Sequence, residues 1–406
     1  MRLFSLISAL LAMVAAPLAA QIALPRVGVP DVGSVVDQID DRLDRTTREI
    51  ERETQRLAND RLRRIDRLVR RNRDAIEFDA NGAPARKGEL LVMDASQSAL
   101  EIAGERGFTV LSRESVEGLD LQLVRLSVPE GMKLAEAQKQ LEAIVPDAVV
   151  SADTLHFQAG GADAANLVLA ADAPNSIGAP VGMIDGATGS SVKVAEQRGF
   201  AKGAPYPSNH GSAVASLLAY AGAGTIRVAD VYGTDKAGGN ALAMAKGLGW
   251  LVTRGSKVVT ISLVGPRNPV LGRAIASAQR KGVVIVAAVG NDGPASPPSF
   301  PASYEGVVAV TAVDGKRRAL IEAGRALHLD YAAPGADIYG RNAKGRRMRL
   351  RGTSFATPLV AARAAQAIGQ GSDWRSALDR EAEDLGKKGH DDVYGRGLVC
   401  GRCDGR

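Results

Sequence analysis

From residue 33 to residue 74, apolar side chains recur at spacings of mostly three, four or seven: Val36, Ile39, Leu43, Ile50, Leu57, Leu62, Ile65 and Leu68. Arg, Asp and Glu fill the other positions, with several acids and bases four apart, so the spacing predicts one long charged helix. Its end turns basic, "RLRRIDRLVRRNRD". Such a face is a solvated helix or coiled coil, or a surface that docks onto an acidic partner. Residues 78–88, "FDANGAPARKG", break the pattern with Asn, Gly and Pro and read as a linker.

Residues 88–158 change to short alternating pieces. "ELLVMD" predicts a strand, "SQSALEIAGERG" a helix, "FTVLSRES" and "LDLQLVRLSVP" strands, "LAEAQKQLEAIV" a helix, and "DTLHFQ" a closing strand. Strand–helix–strand–strand–helix–strand is the ferredoxin-like order, so a small α+β domain is expected there. Small, unpatterned residues follow in "AGGADAANLVLAADAPNS". The stretch 159–178 therefore reads as a linker open to cutting.

From residue 179 apolar runs alternate with helical stretches. "VGMID", "TIRVADV", "KVVTISLV", "VVIVAAVGN" and "GVVAVTAV" are near-continuous apolar segments, as strands buried on both faces are. Between and after them "HGSAVASLLAYAG", "ALAMAKGLGWLVTRG", "PVLGRAIASAQRKG" and "TSFATPLVAARAAQAIG" carry helical spacing. The fold class is α/β: a doubly wound parallel sheet with helices on both faces over 179–399. Functional groups of such sheets gather at the carboxyl ends of strands, and Asp185 and Asn291 stand at such ends.

Composition changes this picture little. The chain has 406 residues, 45% of them hydrophobic, with 45 Gly and only 4% aromatics, which suits tightly packed α/β layers. A net charge of +6, with no aromatic platform or binding motif beside it, gives no reason to expect nucleic acid. The N-terminus adds more. "MRLFSLISALLAMVAAPLAAQ" has a basic start, an apolar run and small residues, the layout of a secretory signal peptide over 1–20. No later stretch is long and apolar enough to span a membrane. A secreted or periplasmic protein is expected, with no membrane span after cleavage. Cys400 and Cys403 stand in the tail 400–406, "CGRCDGR". In an oxidising compartment they read as a short-loop disulfide; a redox pair would need a helix start after a strand, and half a zinc site lacks its partner pair.

Four histidines are present: His156, His210, His328 and His390. Of these only His210 opens a helix, followed by Gly211, which permits close backbone approach. Three further segments stand with it: "GMIDGATG" before, "AAVGNDGP" and "RGTSFATPL" after. With "HGSAVAS" they make residues 181–401 resemble the subtilisin-like (S8) serine peptidases, in that family's order Asp, His, Ser. "FPASY", "YAAPGADI" and "DDVYGRGLV" match further landmarks of the family. The resemblance implies a serine endopeptidase with Asp185, His210 and Ser354 as its triad. Ser354 would attack a peptide carbonyl, His210 would take and return the proton, and Asp185 would hold the imidazole. Asn291 would donate to the oxyanion beside the Ser354 backbone N–H. Pro358 has no N–H to give to the Ser354 carbonyl, so the first turn of that helix should be irregular. The small domain at 88–158 resembles the family's propeptide, which implies a zymogen whose own prodomain is an inhibitor.

The resemblance also implies that substrate binds as an added strand against "SLVG" (Ser262, Leu263, Val264, Gly265) and "AAVG", which contains Ala288 and Gly290. Val264 stands where the family has a small residue and is expected to narrow or reshape the specificity pocket. The aspartate is followed by Gly-Ala rather than Thr/Ser-Gly, so the turn behind it should differ. No cofactor is required, no metal-ligand cluster is assigned, and no acidic cluster has calcium-loop spacing, which leaves structural calcium open. Beside the exported endopeptidase stand a binding or adhesion protein on a degenerate protease domain and a dedicated self- or partner-processing peptidase. An esterase is disfavoured, because Ser354 is not in a G-x-S-x-G elbow.

Overall fold

The computed structural model describes residues 32–159, 161–164 and 178–403, with side chains for 49–159 and 178–403. Residues 1–31 with the expected signal peptide, Gly160 and residues 165–177 of the expected linker, and the last three residues lie outside the described residues. The chain divides between Glu51 and Arg52 into two compact units. The described part of the first is helical.

The charged segment forms one helix, α1 (Val32–Arg71), ending three residues before the expected bound at 74. In the second unit its C-terminal part buries Val69 against Ile76, Leu155 and Ala237, while Leu62 stays 60% exposed. The expected linker at 78–88 is instead a hairpin between β1 (Ile76–Phe78) and β2 (Pro84–Met93). Asp79 explains it: its carboxylate accepts from the Asn81 and Ala83 N–H groups at 2.9 and 2.7 Å, closing the turn that Asn, Gly and Pro had suggested was open chain.

The small domain continues with α2 (Gln97–Glu105), β3 (Thr109–Ser115), β4 (Gln122–Ser127), α3 (Leu134–Ile144) and β5 (Val149–Thr154). Its antiparallel sheet runs β1-β2-β4-β3, with β5 also on β2. Leu90, Val92, Leu126, Leu134 and Leu141 fill the core between sheet and helices. The other sheet face lies on the large domain, where Leu91, Met93, Leu121 and Leu123 share one core with Leu242, Met244, Leu271 and Ile275. Two short strands leave the small domain, β6 (Phe157–Gln158) and β7 (Gly161–Ala164).

The large domain follows as β8 (Val181–Asp185), β9 (Glu196–Gly199), α4 (Asn209–Tyr220), β10 (Ile226–Asp230), α5 (Ala241–Thr253), β11 (Val258–Ile261), β12 (Leu263–Val264), α6 (Pro269–Arg280), β13 (Val284–Ala288), β14 (Val308–Val313), β15 (Tyr331–Pro334), β16 (Ala336–Arg341), β17 (Arg347–Arg351), α7 (Thr353–Gly369) and α8 (Trp374–Glu381). Its parallel sheet has the order β15-β14-β13-β11-β8-β10-β9. β8, β11, β13 and β14 are buried at every position, which is why their sequences are continuous apolar runs. Helices α4 and α7 cover one face with Val214, Leu218, Phe355 and Leu359. Helices α5 and α6 cover the other with Leu248, Trp250, Leu271 and Ile275.

The two domains are joined by polar contacts as well as by core. The Asn268 side chain caps α6 through the Val270 and Leu271 N–H groups, and its amide donates to Ala152 O and Thr154 Oγ1, both at 3.0 Å. Asp153 accepts from the Leu242 N–H at the start of α5 at 2.9 Å. Cys400 and Cys403 form a disulfide. No helix among the described residues is long and apolar enough to cross a membrane.

Candidate active site

Asp185 ends β8 with its side chain fully buried. Its carboxylate accepts the Gly186 N–H at 2.7 Å and contacts His210 Nδ1 at 2.9 and 3.0 Å. His210 is the second residue of α4, whose N-cap Ser208 accepts from the Gly211 N–H. The Asp185 turn and the start of α4 touch backbone to backbone. A Cβ on Gly211 would lie 2.0 Å from Gly186 O, and one on Gly186 would lie 2.6 Å from Ser208 Oγ. The backbone approach demands glycine at 211, while Gly186, the departure in sequence, leaves room for the Ser208 side chain that caps α4.

Ser354 lies in the first turn of α7, behind Gly352 at φ +139°, a conformation that favours glycine. Pro358 leaves the Ser354 carbonyl without its helical donor, and Ser262 Oγ supplies one at 2.8 Å. In return Ser354 Oγ donates to Ser262 O at 3.0 Å. The hydroxyl is thus held by a carbonyl, and a change of χ1 rotamer is what would free it for a base. His210 Nε2 is buried with no hydrogen-bond partner among the described residues, and the His210 ring stands 5.3 Å from that of Phe355.

Asn291 follows β13. Its Oδ1 accepts the Thr353 N–H at 3.0 Å, and Thr353 Oγ1 accepts the Gly290 N–H at 3.1 Å, so the amide is oriented by α7. Its Nδ2 donates to the carbonyl of Ala159 at 2.5 Å, and the Ser354 N–H donates to the same oxygen at 2.9 Å. The chain's own residue 159 thus presents its carbonyl to two convergent donors beside Ser354.

The flanking residues run extended through the cleft. β6 pairs antiparallel with β12, Phe157 opposite Val264 and Gln158 opposite Leu263, and the Ala159 N–H donates to Ser262 O at 3.2 Å. On the other flank the His156 N–H donates to Gly239 O at 2.8 Å, and Leu155 bridges Asn240. Beyond the site β7 pairs with β17, from Gly161 opposite Arg351 to Ala164 opposite Met348. The "AAVG" segment is not the second binding edge: β13 is an interior strand bonded to β11 and β14, and Ala288 serves as a wall instead. The chain's own residues 155–156 lie instead against Gly239–Asn240, whose backbone contacts leave no side-chain pattern in the sequence.

Sequence reasoning missed several groups here. Gln158 Nε2 donates to Asp185 Oδ1 at 3.1 Å. His156, assigned only to the small domain, is fully buried at the cleft with both ring nitrogens unpartnered among the described residues, and burial pushes it down to about 4. Tyr232 donates to His156 O at 2.8 Å; burial first, then the charges of Asp185 and Asp230, push its phenol well above its ordinary value. From α1, Arg61 Nε and Arg64 Nη2 reach Asp292, next to Asn291, at 3.3 and 2.6 Å, and Leu57 packs under Gly293. The other histidines lie elsewhere, His328 Nε2 on Val307 O and His390 Nε2 on Leu329 O. Among the described residues no group of three or more His, Cys, Asp or Glu could hold a metal ion.

An Asp–His pair, a serine and two donors on a carbonyl can perform acyl transfer. Comparison with known proteins agrees. The Subtilase family (Peptidase_S8) model matches residues 185–397. The chain is 30% identical over 243 residues to subtilisin DY of Bacillus licheniformis, covering 54% of this chain and 88% of that protein. It is 33% identical over 186 residues to thermitase of Thermoactinomyces vulgaris, covering 45% and 65%. Its fold matches fervidolysin from Fervidobacterium pennivorans, a keratinolytic enzyme related to subtilisin, with TM-score 0.63 and 17% identity over 81% of this chain and 63% of that one. The chain belongs to the subtilase family and is a subtilisin-like serine endopeptidase.

Proposed function

We propose that this chain is the zymogen of an exported endopeptidase, and that its first substrate is its own Ala159–Gly160 bond. The observation that carries the reading is the Ala159 carbonyl, held by Asn291 Nδ2 and the Ser354 N–H. Ser354 Oγ attacks that carbon while His210 Nε2 takes the proton, and Asp185 holds Nδ1–H and stabilises the imidazolium. The negative oxygen stays between the two donors. His210 then protonates the Gly160 amine, which leaves, and water hydrolyses the Ala159 ester by the same route.

The segment 88–159 remains bound as an inhibitor. Its β6–β12 pairing and the core shared with α5 and α6 support this role. Export rests on the signal-like residues 1–20. A fluorophosphonate probe tests the machinery. The wild type, once processed and freed of the 88–159 segment, is expected to label and Ser354→Ala to stay blank; an unlabelled freed wild type, or a labelled Ser354→Ala, overturns the assignment.

A further inference from the structure

We propose that this peptidase cuts after small residues, alanine foremost, because Val264 fills the slot that receives the side chain before the scissile bond. The proposal rests on Asp185, His210 and Ser354 being the cleavage machinery, and it names the substrate class that machinery accepts.

The side chain at residue 159 enters an apolar contact of three groups, Ala159, Val264 and Ala288, all at most 9% exposed. A methyl suffices to complete it. The opposite wall is Gly290, at φ +93°, and a Cβ built there would lie 3.4 and 3.6 Å from the two Val264 methyls. Those are van der Waals distances, so the space between Gly290 and Val264 is only about one methyl wide.

Neither wall can withdraw cheaply. Val264 lies on β12 between the β6 pairing and Gly265, which exchanges two backbone hydrogen bonds with Phe300 at 2.8 and 3.0 Å. Leu263 beside it is fully buried. Behind Gly290, the Gly324 N–H donates to Gly290 O at 2.7 Å, and a Cβ on Gly324 would lie 2.4 Å from Val289 O. A larger side chain at the cut position must therefore displace Val264 or leave the carbonyl short of its two donors. The preferred substrate is an extended protein segment with Ala at that position, flanked by backbone free to pair with β12 and β17.

The test compares peptides copying residues 155–164, with Ala, Leu or Phe at position 159, as substrates of the processed enzyme freed of its 88–159 segment. Wild type should cleave the Ala peptide about 100-fold faster in kcat/KM than the Phe peptide, the scale set by overpacking a tight pocket. Val264→Gly should raise Phe cleavage and shrink that ratio at least about tenfold. Equal cleavage of Ala and Phe by wild type, or an unchanged ratio in Val264→Gly, overturns the proposal. The full-length chain gives a second readout: Ala159→Phe should block self-cleavage, and adding Val264→Gly should restore it, which a misfolded chain could not do. Unimpeded self-cleavage of Ala159→Phe overturns the proposal as well. Fluorophosphonate labelling separates the two levels. A labelled enzyme without the Ala preference refutes only the pocket; an enzyme that neither labels nor cuts any peptide refutes the catalytic reading and the proposal with it.

Discussion

Replacing Asn291 with Ala removes one of the two donors on the Ala159 carbonyl, the shorter at 2.5 Å, and leaves the Ser354 N–H at 2.9 Å. An oxyanion donor in a water-excluded site contributes about 3–4 kcal/mol to the transition state, so self-cleavage should slow by about 100–1000-fold. The substitution has a second effect, because Asn291 Oδ1 also accepts the Thr353 N–H. Asn291→Asp separates the two: it keeps an acceptor for Thr353 but loses the amide donor. If the donor matters, Asp should be at least as slow as Ala. If Thr353 positioning matters, Asp should recover most of the rate. The assay is a time course of the full-length chain, read as the fraction cut between residues 159 and 160 by mass spectrometry, with melting temperature as a folding control. A folded Asn291→Ala that processes within about threefold of wild type would refute the role, since about 0.7 kcal/mol is far below what such a donor contributes.

Three further outcomes are expected. His156 is held neutral, from its ordinary 6.5 down to about 4, so the stability it allows is lost as pH falls from 6.5 toward 4. Asp153, pushed up to about 6 by burial, acts oppositely as pH falls from 6 toward 3.8, so the His156 part is read by difference: His156→Leu should gain on wild type by up to about 3 kcal/mol across the acid window, in denaturant melts at stepped pH. Arg61→Ala with Arg64→Ala frees Asp292 from α1; activity should appear sooner after cleavage, by a few-fold at most because such partly exposed pairs contribute about 1 kcal/mol or less, and an unchanged lag would deny α1 any part in holding the cleft. Ser262→Ala leaves the buried Ser354 carbonyl without its donor and should cost about 1–3 kcal/mol of stability in chemical denaturation.

The parts legible in the sequence are those whose burial writes a pattern. β8, β11, β13 and β14, covered on both faces, become apolar runs, and α7 begins where "GTSFATP" puts it. Elements that work through backbone leave no such mark. β12 has two residues, β9 is an edge strand, and Gly239 binds residue 156 only through its carbonyl. The turn at 79–83 looks like a linker because its order comes from one Asp79 carboxylate, not from periodicity. The Arg64–Asp292 pair joins residues 228 apart, beyond any local signal. Ala159 was readable only as a small residue before a glycine pair; its place between Asn291 and Ser354 belongs to the folded chain.

The most direct test is the mass and N-terminal sequence of the large fragment from the full-length chain, in wild type and Ser354→Ala side by side. Wild type should yield a fragment beginning at Gly160 and a partner ending at Ala159, while Ser354→Ala stays joined there. A wild type that remains uncut, or a Ser354→Ala chain cut at the same bond, would contradict self-processing at Ala159.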